Sequence, residues 1–368
     1  MNSLKSILLR YRISIFTFLI MSSLSLIIII FFYPKNEKNR PISKDGFFFD
    51  TAVTITIYDT DENYGEYVSS VDDINKLLDE CINKCEKYEY IFSRTNEKSE
   101  LYKLNNSKDF LSGTTVSVSE ELNELIRKTL ELSGVFGNRF SILSGNLCDL
   151  WDYNNKIIPS DNMIEHALNS INSYNLTADD NNIKLTNNNT SSNIPPTINL
   201  SACAKGYIAD KLADFLKSKG IHEAIINLGG NVLVIGNKYD DSLYSIGSRK
   251  PFSDENIVIT KCKVGDKSVV TSGIYERYFE KDDKLYHHII DCRNGYPAET
   301  GILSITVICD SSLTADCYAT GLLLYSVDEI ENIMKDSNNI EYIIVDKDYN
   351  VIISEGLTYE NDFIILKK

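Results

Sequence analysis

Four short stretches near the C-terminus set the reading of this chain: Thr271-Ser272-Gly273, Tyr286-His287-His288-Ile289-Ile290-Asp291, Arg293-Asn294-Gly295-Tyr296-Pro297 and Thr314-Ala315-Asp316-Cys317-Tyr318-Ala319-Thr320. They gather hydroxyls, two acids and a tight turn within about fifty residues, and two of the chain's four histidines stand side by side among them. That density suits a site that binds a metal and moves a phosphoryl group better than it suits a plain core. The same region sets the local architecture. Ile302 to Cys309 reads as a strand, leading into a helix from about Thr314 to Tyr325 and a further helix over Asp328 to Lys335. Asn294-Gly295 favours positive φ and predicts a turn.

Outward from this run the pattern stays mixed. Phe49 to Tyr58 sets Val53, Ile55 and Ile57 against Thr54 and Thr56, as a half-buried strand does. Val71 to Ile91 carries Ile74, Leu77, Leu78, Ile82 and Cys85 on one helical stripe. Ser119 can cap a helix running to Ser133, and Glu121 and Glu124 place acids in its first turns, which suits the helix dipole. A third helix is expected over Met163 to Asn172. Residues 175–193 are Asn-rich and suit a hairpin with an exposed loop. Ala204 to Gly220 reads as a helix closed by Gly220. Strands are expected at Ala224–Ile226 and Val232–Ile235, around Gly229-Gly230. Two more, Glu341–Val345 and Val351–Ile353, close the chain. Helices and strands interleave without a regular βαβ beat and without an internal repeat. The expected class is α+β, with mixed, largely antiparallel sheets flanked by helices.

The 368 residues suffice for one large or two ordinary domains. Hydrophobic content of 43% and charged content of 24% are those of a globular protein. Net charge is -15; residues 1–40 carry six basic groups and one acid, which leaves about -20 on the remainder. A body this acidic does not attract nucleic acid through its general field, so no nucleic-acid partner is expected. A phosphorylated ligand needs local neutralisation there, most simply by a bound cation.

Ile13 to Tyr33 carries no charge and ends in Leu26-Ile27-Ile28-Ile29-Ile30-Phe31-Phe32-Tyr33. A helix crosses a bilayer with roughly 20 apolar residues. Lys5, Arg10 and Arg12 precede the stretch, so the N-terminus is expected to stay cytoplasmic. Lys35, Lys38 and Arg40 follow it. A cleavable signal peptide is the alternative, but cleavage wants small residues such as A-x-A, and the first alanine is Ala52. The expected organisation is a cytoplasmic N-terminus (1–12), a single uncleaved transmembrane helix (13–33), a polar linker (34–45) and a folded body (46–368). That body is expected on the extracytoplasmic side of the cell membrane. The eight cysteines lack C-x-x-C spacing, which argues against a zinc site and leaves their pairing open.

Asp316 and Thr320 lie four apart in an expected helix, on one face and one turn apart. Both are hard oxygen ligands of the kind Mg²⁺ accepts. The same spacing suits an Asp and a Thr that merely satisfy local amides. His288 precedes Asp291 by three, and an imidazole near a carboxylate can accept a proton at neutral pH. A hydrogen-bonded histidine at a strand end is the plainer alternative. Asn199-Leu200-Ser201-Ala202-Cys203-Ala204-Lys205-Gly206-Tyr207 enters a helix through small residues, which lets a ligand approach the backbone. Leu228-Gly229-Gly230-Asn231 reads as a tight turn after a strand.

In their order, these pieces resemble the ApbE family of FAD:protein FMN transferases, over roughly residues 47–330. The strongest matches are Ala204-Lys205-Gly206-Tyr207-Ile208-Ala209-Asp210, Asn227-Leu228-Gly229-Gly230-Asn231 and Thr271-Ser272-Gly273 with Tyr275-Glu276-Arg277-Tyr278. His288-Ile289-Ile290-Asp291 with Gly295-Tyr296-Pro297, and Ala315-Asp316 with Ala319-Thr320, complete the set. Phe49-Asp50-Thr51 stands where the family has Met-Gly-Thr. Further departures are Asn199 and Ser141 for usual aspartates and Cys292 for a usual proline.

The resemblance implies an ApbE-like fold and a chemistry. Members bind FAD as substrate, use Mg²⁺, and transfer FMN to a Ser or Thr hydroxyl of a partner protein, releasing AMP. By position, the metal would be held by the Ala202 carbonyl, Asp316 and Thr320. The flavin site would be lined by Phe49, Thr95, Arg139, Phe140, Ser141, Asn199, Lys205 and Ile290. His288, aided by Asp291, would activate the acceptor hydroxyl. The implied partners are flavin-acceptor subunits of membrane electron-transfer complexes. Two alternatives share the site residues: an FAD-binding protein that stores flavin, and an FAD pyrophosphatase in which water replaces the acceptor.

Overall fold

The structure, a computed structural model, describes residues 41–58, 70–188, 192–253, 255–335, 337 and 339–367. The first part runs β1 (Ile42–Phe48), β2 (Thr51–Ile57), α1 (Val71–Phe92), α2 (Glu100–Asn105), α3 (Lys108–Leu111), β3 (Val116–Ser117) and α4 (Glu120–Ser133). A 3-10 turn over Gly134–Arg139 leads to α5 (Gly145–Asp149), α6 (Asp161–Ser173), β4 (Tyr174–Asp179) and β5 (Asn182–Asn187). The middle comprises α7 (Ala204–Ser218), β6 (Ala224–Leu228), β7 (Asn231–Ile235), β8 (Tyr244–Arg249), β9 (Val258–Val264), β10 (Ser268–Gly273), β11 (Tyr278–Lys281) and β12 (Lys284–His287). The last part holds β13 (Ile302–Cys309), α8 (Ser312–Leu322), α9 (Val327–Met334), β14 (Glu341–Asp346), β15 (Val351–Ile353), β16 (Leu357–Glu360) and β17 (Phe363–Leu366).

Eight strands form the main sheet in the order β1-β2-β6-β7-β10-β13-β14-β15. Every neighbouring pair in it is antiparallel. Successive side chains on a strand point to opposite faces. Leu233, Ile235, Val270 and Val307 accordingly pack with the helices, while Val234, Val269, Ile308 and Ile343 pack with a second sheet. That sheet runs β16-β17-β9-β8 and holds the one parallel pair among the described strands, β17 with β9. Strand β13 is therefore covered on both faces, and all eight of its residues are buried. The expected α+β class with largely antiparallel sheets holds.

The helices form where the apolar stripe and caps direct. Helix α1 buries Ile74, Leu77, Leu78, Cys81 and Cys85, and the Ser70 hydroxyl accepts the Asp73 N–H at 3.2 Å. Helix α4 starts under the expected cap, with the Ser119 hydroxyl accepting the Leu122 N–H at 3.3 Å. The contact that places the site is the crossing of α7 and α8. A Cβ on Gly206 would fall 2.2 Å from the Ser312 carbonyl oxygen, so only glycine lets the two helix starts touch. Asp210, one turn further along α7, caps α8. Its carboxylate accepts the Ser312 N–H at 2.7 Å, the Leu313 N–H at 3.0 Å and the Ser311 hydroxyl at 2.9 Å. These are the orphan donors of a helix start.

Three expectations change. Phe49 and Asp50 lie outside the strand: they form a two-residue hairpin turn with φ of 53° and 58°, and β2 begins at Thr51. The primed geometry matches the strands' twist. Residues 42–45, assigned to a linker, belong to β1, and the chain does not close at Ile353, because β16 and β17 follow. The expected anchor, 13–33, lies outside the described residues. Among the described residues no helix is long and apolar enough to cross a membrane.

Gly206→Ala tests the crossing. Overpacking at a backbone contact is expected to lower the free energy of urea unfolding by at least about 1–3 kcal/mol. An unchanged midpoint would contradict it.

Candidate active site

Helix α8 carries Asp316 and Thr320 on one face, and α7 begins two residues after Ala202. Gly206 is the third residue of α7, which is capped at Cys203, so its N–H has no partner within the helix. It donates to Asp316 Oδ2 at 2.8 Å. Ala202 lies before the helix, and among the described residues its carbonyl accepts no hydrogen bond. Asp316 is 2% exposed, and burial pushes its pKa up, with Lys205 opposing the rise. The Asn231 amide faces the same carboxylate and helps hold it charged. Its Nδ2 is buried without a hydrogen-bond partner, so the two groups approach without closing a bond. Asn231 Oδ1 is used by the Ser312 hydroxyl at 2.7 Å.

A buried carboxylate with one weakly served oxygen is costly unless a cation joins it. Thr320 stands one turn further along the same helix, its hydroxyl meeting the Ser272 hydroxyl at 3.3 Å, and the Ala202 carbonyl lies just before the start of α7. Three hard oxygen donors fit Mg²⁺, which tends to take one or two carboxylates and leave positions for water and phosphate. Among the described residues no group of three or more His, Cys, Asp or Glu forms an all-side-chain metal cage. The donor set thus suits an ion shared with a substrate.

His288 follows β12. Its backbone N–H donates to the Arg277 carbonyl at 3.1 Å, and its Nδ1 lies 3.3 Å from the same oxygen. A carbonyl only accepts, so Nδ1 carries the hydrogen and Nε2 keeps its lone pair. His288 keeps part of its surface open, yet its ring is packed closely enough for burial to push its pKa down to about 4, helped by His287 and Arg277. A neutral imidazole results. Its neighbour His287 is buried, donates Nε2–H to the Ala298 carbonyl at 2.9 Å, and is also pushed down to about 4 by burial.

Asp291 does not assist His288 directly. Its carboxylate is gripped by Arg293, with Nε at 3.0–3.1 Å and Nη2 at 2.6 Å. Its backbone N–H and C=O close the Asn294-Gly295 turn. Asp291 therefore shapes the turn that follows His288.

The other expected flavin residues divide into groups. The Cys292 N–H donates to the Arg139 carbonyl at 2.9 Å, and the Asn199 N–H donates to the Ile142 carbonyl at 2.8 Å. These bonds bring the Phe140-Ser141 segment, Asn199 and the Ile290–Cys292 segment into one wall. Ile290 packs with Leu147 and Trp151 behind it. Phe49 and Lys205 line one small cavity of about 10 Å³, enough for about one water. Thr95 is exposed and only meets the Ser93 hydroxyl at 3.4 Å. The Arg139 side chain points elsewhere: it donates to the Leu324 carbonyl at 2.6 Å, pairs with Glu329 and lies 4.0 Å over the Tyr325 ring. It closes the α8–α9 corner, so only its backbone serves the wall. Asp210 and Asn231 also hold the site, and their sequence signal is slight: a polar side chain on an otherwise apolar helix face, and one after a glycine turn.

The ApbE family profile matches residues 49–344, and this chain belongs to the ApbE family. It is 28% identical over 282 residues to a Vibrio cholerae FAD:protein FMN transferase, covering 75% of this chain and 78% of that one. The Treponema pallidum FAD:protein FMN transferase is 27% identical over 306 residues, covering 77% and 81%. A Klebsiella pneumoniae protein of the same name is 41% identical over 157 residues, 43% of this chain but only 48% of its own length. Among solved structures, the ApbE protein of Thermotoga maritima superposes with a TM-score of 0.73 at 26% identity, covering 86% of this chain and 97% of that one.

Both paired histidines are neutral in the fold but protonate near pH 6.5 when unfolded. The unfolded state thus binds more protons between about pH 4 and 6.5. Their contribution to stability is complete above about 6.5 and is lost as pH falls towards about 4. His287→Gln is expected to flatten the wild-type loss of unfolding free energy across that window by on the order of 2 kcal/mol. An equal slope in both proteins would contradict the assignment.

Proposed function

We propose that this ApbE-family transferase uses Mg²⁺ and FAD to attach FMN to a Ser or Thr hydroxyl of a partner protein. The observation that supports this best is the buried Asp316 carboxylate, which takes only the Gly206 N–H and stands one turn from the Thr320 hydroxyl on the same helix. The Ala202 carbonyl, just before α7, accepts no hydrogen bond among the described residues and would complete the set. Mg²⁺ held there would neutralise the pyrophosphate and the leaving AMP. Lys205, close enough to oppose the rise in the Asp316 pKa, adds a second positive charge at the same place. The wall of Phe140, Ser141, Asn199 and Ile290 would receive the flavin end.

His288 Nε2 would take the proton of the incoming hydroxyl. The new bond joins that oxygen to the FMN phosphorus, and the bond from that phosphorus to the bridging oxygen breaks. AMP leaves with the bridging oxygen. A base kept neutral at physiological pH is ready for this role. The uncharged stretch 13–33 supports a single-pass anchor with the body outside the cytoplasm. That position suits acceptor subunits of membrane electron-transfer complexes.

The test is incubation with FAD, Mg²⁺ and a flavin-acceptor domain, read as covalent flavin fluorescence on a denaturing gel. Fluorescence on the acceptor is expected, Asp316→Ala should abolish it, and His288→Ala should slow it by about a hundredfold to ten-thousandfold. AMP release without labelling would favour hydrolysis, and flavin binding alone would favour storage. An unaffected rate in Asp316→Ala would sink the metal assignment.

A further inference from the structure

The polar seam between α8 and the main sheet carries a donor that the packing leaves unused. Ser312, Asp316 and Thr320 follow one another at intervals of four along α8, so they share one face. The sheet answers at both ends of this stripe. Asn231 Oδ1 accepts the Ser312 hydroxyl at 2.7 Å, and the Ser272 hydroxyl meets that of Thr320 at 3.3 Å. Asn231 and Ser272 reach the same face of the sheet, because Asn231 pairs with Val270 across β7 and β10, and Val270 and Ser272 lie two apart on one strand. Asp316 stands between these two rungs.

Asn231 has little freedom there. It opens β7 after the Gly229-Gly230 turn, pairs with Leu228 on one side and Val270 on the other, and is 1% exposed. The turn is itself pinned: Gly229 has φ of 63°, and a Cβ on it would fall 1.9 Å from Thr51 Oγ1. The neighbours also set which way the amide points. The Ser312 hydroxyl can donate or accept, but a carboxylate only accepts. Turned over, the amide would set its oxygen against Asp316. As it stands, Oδ1 takes the Ser312 hydrogen and Nδ2 is left on the Asp316 side, without a hydrogen-bond partner among the described residues. A buried donor left open costs stability. An aspartate at 231 would accept the same Ser312 hydrogen with no donor left over. The bond to Ser312 therefore does not require an amide; what sets asparagine apart from aspartate here is its missing charge and its free donor.

We infer that Asn231 is a positioning residue that sets how tightly the site holds a cation: it steadies Asp316 without adding a second carboxylate, and so makes cation binding depend on the phosphates of bound FAD. This rests on the metal reading above. Asp316 offers one negative charge, and Lys205, next to Gly206 at the start of α7, brings a positive one. The affinity of a hard cation rises with the number of charged oxygen ligands. A divalent ion is therefore held weakly until the pyrophosphate supplies further anionic oxygens. By linkage, the ion tightens FAD by the same factor as FAD tightens the ion. An aspartate at 231 would hold the ion ahead of FAD and break that dependence.

The test is Mn²⁺ binding to the full chain, read as loss of the free Mn²⁺ signal in electron paramagnetic resonance, with and without FAD. In the wild-type protein Mn²⁺ is expected to bind at least about tenfold tighter with FAD. Asn231→Asp should bind Mn²⁺ at least about tenfold tighter than wild type without FAD, and lose most of the dependence on it. Its melting temperature should also rise more with Mn²⁺ than that of wild type. Asn231→Ala should bind Mn²⁺ more weakly than wild type with FAD. The two substitutions thus move affinity in opposite directions. A purely structural role for Asn231 would weaken binding in both, and that outcome overturns the proposal. So does equal Mn²⁺ affinity of the wild-type protein with and without FAD, a comparison that stands even where a variant fails to fold. Mn²⁺ binding unchanged in Asp316→Ala would sink the metal reading itself. Loss of binding there, with Asn231→Asp no tighter than wild type, would overturn this inference alone.

Discussion

Two helix starts hold each other, and the site depends on that mutual grip. Asp210 on α7 satisfies the open N–H groups of α8, and Asp316 on α8 accepts the Gly206 N–H near the start of α7. Gly206 makes the grip possible by removing the side chain that would strike Ser312. The same contact fixes the buried Asp316 carboxylate one turn from the Thr320 hydroxyl, the place proposed above for Mg²⁺. One contact therefore supports packing and chemistry together. It also explains why a carboxylate can stay buried there: it lies among the Gly206 N–H, Lys205 and Asn231.

The second half of the site is built differently. His288 is held by the backbone of Arg277, across the β11–β12 hairpin, and not by an acid. Aromatic packing keeps that hairpin in place: Tyr286 stacks on Phe279 at 5.1 Å and on Trp151 at 5.8 Å. The ring is kept neutral by its packing, which leaves the Nε2 lone pair free. Asp291 and Arg293 fix the turn that follows. The proposed metal side and base side thus sit on separate supports, and a change to one is expected to spare the other.

Much of the main sheet was legible because its patterns are strong. The apolar run of β13 and the stripe of α1 leave little choice, and Ser119 capped its helix as the sequence indicated. The second sheet was not legible. Its strands are short and half-exposed, and β8 interrupts its alternation with Gly247 and Ser248. In the site, the order of the motifs around Lys205, Asp316 and Thr320 was enough to point to the family, whose profile matches residues 49–344. The fate of Arg139 was not, because Glu329 and Leu324 claim its guanidinium from far along the chain. The partner of Asp291 was not legible either: Arg293, two residues on, takes both of its carboxylate oxygens.

The most direct measurement is crystallographic. Crystals of the protein soaked in Mn²⁺ should show one strong anomalous peak within coordination distance, roughly 2 Å, of an Asp316 oxygen, the Thr320 hydroxyl and the Ala202 carbonyl. The peak should vanish in Asp316→Ala crystals that keep the α7–α8 crossing. A peak elsewhere, or none at Asp316 under saturating Mn²⁺ and FAD, would contradict the account.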